Sequence, residues 1–145
     1  MARVISVFIR ESGDHKTVLK CIEDVLCLRL EKTNCHDGPA LHRGYALGLM
    51  FDFCVEHELE DDMGIPFTLY TYALDILCSA PLKANPYMES LFTSVALSLG
   101  WQLSAKTSGE CLVVDDLQCV MARFVSGKEV AAQHVKDESA EEEPS

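Results

Sequence analysis

Hydrophobic positions in this chain fall in long, dense runs separated by short polar breaks. Residues 4–9 (VISVFI) are β-branched or aromatic with almost no alternation, which predicts a strand buried on both faces. Ser12, Gly13 and Asp14 break that run, and Asp14 can cap a helix starting at residue 15. Val18, Leu19, Ile22, Val25 and Leu26 recur at helical spacing and predict that helix over 15–26. Residues 27–32 (CLRLEK) alternate, so the pattern fits either a second strand or a continuation of the helix. Gly38-Pro39 opens a long apolar stretch read as a helix to about residue 59, in which Gly44 and Gly48 lie four apart.

The stretch from 65 to 101 carries little charge and dominates the pattern. It reads as a helical hairpin. The first half, PFTLYTYALDILCSA, is apolar nearly all round, as in a helix buried on several sides. In the second half Asn85 is an N-cap candidate and Pro86 suits the first helical position. Met88, Leu91, Phe92, Val95, Ala96 and Leu99 draw one apolar stripe, and Gly100 offers a left-handed stop. Residues 101–106 and 111–114 flank a Thr-Ser-Gly-Glu turn, a β-hairpin signal. Asp115 or Asp116 can cap a last element through Leu117, Val120, Met121 and Phe124, read as a helix with a strand as the alternative. The sum is a helix-dominated α+β fold: four to five helices around the 65–101 hairpin, with a small sheet from the N-terminal strand and a C-terminal β-hairpin. Residues 1–127 form one globular domain, and 128–145 form an acidic, largely disordered tail.

The chain has 145 residues and a formal net charge of −11. Such a charge repels phosphate backbones and anionic lipid, which argues against nucleic acid and membrane surfaces and for a protein partner with a basic or apolar surface. No run is long enough for the roughly 20 apolar residues of a membrane-spanning helix. The seven cysteines are an odd number without a CxxC pair, and most sit in apolar runs. There they behave as small hydrophobes, which predicts a reducing compartment, cytoplasmic or nuclear.

Candidate chemistry is sparse. Cys54 and His57 are three apart on the expected helix, with Cys35, His36 and His42 upstream, but the spacings match no zinc module. No nucleophile elbow or phosphate-binding glycine loop occurs. No metal or cofactor is therefore expected, and an enzyme is the less favoured class. Asp75 is a lone carboxylate in an apolar run: it marks a wet face, or if buried needs a partner such as Arg43. Phe67, Tyr70, Tyr72, Tyr87 and Phe92 concentrate aromatic area around the hairpin and are the candidate partner-binding residues. Gly44 and Gly48 are candidates for close packing, within the domain or across a homodimer. Ser139, followed by Glu141, Glu142 and Glu143, is a candidate phosphosite.

Residues 41–48 (LHRGYALG), followed by Asp52-Phe53, resemble the second helix of the small TRAPP vesicle-tethering subunits, and the later helix followed by a hairpin is similar to their C-terminal half, together about a third of the chain. That resemblance implies a vesicle-tethering subunit. The internal hairpin of that family has no room between Ala80 and Pro86. The expected function is a non-catalytic adaptor or assembly subunit that binds protein through an apolar helical face or groove. A Cys/His-dependent metal protein or enzyme is the competing class.

Overall fold

The computed structural model describes residues 3–11, 13–33, 41–55, 57, 59–78 and 85–131. Its frame is one eight-stranded sheet with two helices: β1 (Arg3–Arg10), α1 (His15–Leu26), β2 (Glu31–Thr33), β3 (Leu41–Ala46), β4 (Leu49–Cys54), β5 (Tyr72–Cys78), α2 (Pro86–Thr107), β6 (Glu110–Asp115), β7 (Cys119–Val125) and β8 (Lys128–Val130). The strand order is β2-β3-β4-β5-β1-β6-β7-β8, and every neighbouring pair is antiparallel. The expected helix-dominated fold is therefore wrong: this is a large antiparallel sheet, and "alpha-helical" does not describe it.

The reason lies in how the sheet is buried. On one face Ile5, Val7 and Ile9 of β1, with their neighbours on β4 to β7, pack against Val18 and Ile22 of α1 and Phe92, Ala96, Leu99 and Leu103 of α2. On the other face Phe8, Ala73, Leu112 and Val114 are covered by Ile65, Phe67 and Tyr70 from the segment between β4 and β5. A strand covered on both faces loses its alternation, so β5 and β4 imitate a helix buried all round. The first half of the expected hairpin is β5, and the expected helix over 39–59 is the β3–β4 hairpin over its described residues. The last expected helix is β7, paired with β6 through a register shift between Val113 and Val114. β8 lies past the residue-127 domain boundary and pairs with β7.

Local signals placed the two real helices. Asp14 caps α1 by accepting from the Lys16 N–H, and Cys27 ends it in a left-handed conformation (φ 53°). Asn85 caps α2 by accepting from the Met88 N–H, and Pro86 stands in its first turn. Gly100 does not stop α2, which runs on to Thr107. It is the crossing point of helix and sheet: a Cβ there would lie 2.6 Å from Cγ2 of Val113 and 3.1 Å from the Phe124 ring. Gly100→Ala should therefore lower the urea midpoint. Overpacking a rigid valine costs about 1–3 kcal/mol, more than the roughly 1 kcal/mol alanine gains as a helix former. An unchanged or higher midpoint would mean that α2 lifts off the sheet at little cost.

Candidate functional site

The two-residue turn joining β3 to β4 is Leu47-Gly48, with both residues at positive φ (56° and 79°). This is the twist that suits an antiparallel hairpin, and Asn-Gly is its favoured sequence. Gly48 fits on two counts, since its φ disfavours a side chain and a Cβ would meet Cε of Met88 at 3.1 Å. Leu47 does not fit. A leucine in the left-handed region is strained, and 69% of this one is exposed to solvent.

Leu47 forms the lip of a groove on the helix-bearing side of the sheet. Val25 and Leu26 of α1 form one wall, Val95 and Leu99 of α2 the other, and Phe51 lies between them. Ser94, Ser98 and Gln102 line the α2 rim, and among the described residues no charged side chain lines the groove. The sequence carries one signal for this turn: a glycine, Gly48, standing directly before the apolar run of residues 49–51. The helical reading of residues 39–59 concealed it.

The aromatic candidates are not brought together. Phe67 and Tyr70 are buried in the cluster behind the sheet, and Tyr72 and Phe92 in the cluster under the helices. Tyr87, in the first turn of α2, is 87% exposed. Gly44 is a close-approach position within the chain, since a Cβ there would lie 2.6 Å from Cδ2 of Leu30. Gly48 serves the turn.

The weak metal candidates are also dispersed. His42 pairs across strands with Phe53, whose side chain belongs to the core under the helices, while Cys54 packs against the cluster behind the sheet. His57 binds backbone: its Nδ1 accepts from the Leu59 N–H at 3.2 Å, which leaves Nε2–H to donate to the Tyr70 carbonyl. Among the described residues no group of three or more His, Cys, Asp or Glu is placed to hold a metal ion. Cys35, His36, Ser139 and the glutamates after it lie outside the described residues, as does the tail from 132 onward. The segment resembling a TRAPP helix is the β3–β4 hairpin.

Two polar constellations lie behind the sheet. Glu110 accepts a bidentate pair from Arg123 (3.0 and 3.1 Å) and the hydroxyl of Tyr70. Burial raises the Glu110 carboxyl, but the hydrogen bonds from Arg123 and Tyr70 outweigh it and bring the pKa below its ordinary value. The Tyr70 phenol is pushed up, first by burial and then by Glu110. The second constellation is a row across four strands: Arg43, Asp52, Asp75 and Ser6 stand opposite one another in register. Arg43 binds both oxygens of Asp52 (2.6 and 3.0 Å), and Ser6 donates to Asp75 (2.7 Å). Arg43 thus partners Asp52 rather than Asp75.

The fold is a mainly β, antiparallel one: one sheet with helices on one face and a loop segment on the other. No family model, curated protein or solved structure matches the chain. Among the described residues no helix is long and apolar enough to cross a membrane.

Proposed function

We propose that this chain is a non-catalytic interaction or assembly module. It would seat an apolar segment of a protein partner in the groove between α1, α2 and the β3–β4 turn. The observation that carries this reading is Leu47. An exposed leucine in a left-handed conformation costs stability on the order of 1 kcal/mol, and such strain concentrates at binding positions. The neighbouring lining is apolar or uncharged, which suits a hydrophobic anchor from the partner. The net charge of −11 favours a partner with basic residues flanking that anchor. Cys21, Cys27, Cys78, Cys111 and Cys119 are thiols rather than disulfides, which supports placement in the cytoplasm or nucleus.

Leu47→Asn separates folding from binding. Asparagine tolerates the left-handed turn better, so the variant should be more stable by about 0.5–1 kcal/mol in urea unfolding. The same variant should lose the partner that the wild-type chain retains at fixed stoichiometry from extracts of its own cells, as read by the mass of the eluted complex. Equal recovery by both proteins would remove the groove from the reading.

A further inference from the structure

The row behind the sheet sets two carboxylates side by side. Asp52 and Asp75 are directly opposed on antiparallel strands, where facing Cβ atoms lie roughly 4.5–5.5 Å apart. The guanidinium beside them is that of Arg43, which uses Nε and a terminal nitrogen on the two oxygens of Asp52. Asp52 is 6% exposed and takes up both of those charge-assisted donors. Asp75 has instead the hydroxyl of Ser6, itself 1% exposed. The base nearest in charge to Asp75 is His57, from the covering segment. Its ring is held by backbone at both nitrogens, Nδ1 at the Leu59 N–H and Nε2 at the Tyr70 carbonyl. Asp75 thus has a buried carboxylate on one side and a hydroxyl on the other, while the guanidinium of the row is spent on its neighbour.

We propose that Asp75 is a proton-binding site, which in the folded chain keeps its proton above the pH at which an ordinary aspartate has lost it. The groups facing it are Asp52 from β4, with Arg43 of β3 behind, Ser6 from β1 and His57 from the covering segment. Two opposed carboxylates sharing one cation settle by binding one proton between them. The pKa balance points the same way: burial raises the Asp75 carboxyl, Ser6 lowers it, the charge of Asp52 raises it again and His57 lowers it, with a net upward shift. A raised carboxyl stabilises the fold fully below its unfolded value of 3.8, and that contribution is lost as pH rises through the folded value. Acidification thus tightens the middle of the sheet, directly under the segment that His57 pins.

The experiment follows the side-chain carboxyl carbons of the full chain by NMR across pH, for wild type and Asp52→Asn, with urea unfolding of wild type and Asp75→Asn alongside. In wild type the Asp75 carbon should titrate above the other aspartates, and in Asp52→Asn it should move down towards them. Asp75→Asn should stay flat across the pH window in which wild type loses stability relative to it. An Asp75 carbon titrating at or below the ordinary aspartate value overturns the proposal, even if Asp75→Asn does not fold. So does an Asp75→Asn protein with the wild-type slope.

Discussion

Phe8→Ala should lose about 3–5 kcal/mol of unfolding free energy, the largest effect of any single truncation behind the sheet. Phe8 lies on β1, at the centre of the strand order, and is fully buried. Its ring meets Phe67 at 4.9 Å, His57 at 5.4 Å and Tyr70 at 6.5 Å between centroids. These three rings come from the covering segment, so one truncation removes the surface on which that segment sits. Domains of this size hold about 5–15 kcal/mol in total, so most of the margin would go. Urea unfolding gives the size of the loss. Hydrogen exchange gives its place: the Leu59 amide, held by His57, should lose protection before the amides of α2. A loss under about 1 kcal/mol would mean that the segment collapses into the cavity and refills it.

Glu110→Ala should cost about 3 kcal/mol, because it takes an acceptor from the buried Tyr70 hydroxyl and a bidentate partner from the half-buried Arg123. The side chains of Glu110 and Arg123 are 14% and 16% exposed, so water replaces little of what is lost. Glu110→Gln keeps an acceptor for Tyr70 and should fall between the two proteins. Acid should distinguish them as well. The Glu110 carboxyl is lowered below 4.5 in the fold, so its contribution is present above that pH and fades as pH falls through the folded value. The unfolding midpoint of wild type should fall towards that of Glu110→Ala as pH drops from about 5 to 3. Parallel pH curves for the two proteins would show that the Arg123 bond does not set the acid limit.

The features legible in the sequence were those written in local chemistry. β1 was readable from five β-branched and aromatic residues among six, and both helices from Asp14 and from Asn85-Pro86. The sheet was not. β4 and β5 carry apolar residues on both faces, with one aspartate each on the rear face, because helices cover one side and the 57–70 segment lies on the other, and no local rule announces that cover. Gly100 misled for a related reason: a helix stop and a helix crossing a sheet call for the same residue, and only Val113 and Phe124 decide between them. The groove was hidden by the same error, since Leu47-Gly48 reads as a turn only once residues 41–46 and 49–54 are strands. The placement of Asp75 depended on register. Its neighbours Asp52 and Ser6 are 23 and 69 positions away in sequence and adjacent only in the sheet.

The two outermost strands, β2 and β8, are three residues each. Over the described residues each covers only three positions of its neighbour, Leu41–Arg43 of β3 and Arg123–Val125 of β7, so each rim steps from a short outer strand to a longer inner one. Glu31 and Lys32 charge one, Lys128 and Glu129 the other. A foreign strand docking there would gain two or three hydrogen bonds before running out of template, too few to hold an extended segment in place. A strand added at either rim would therefore meet a stepped, charged edge instead of one long ladder, which discourages growth of the sheet through its rims.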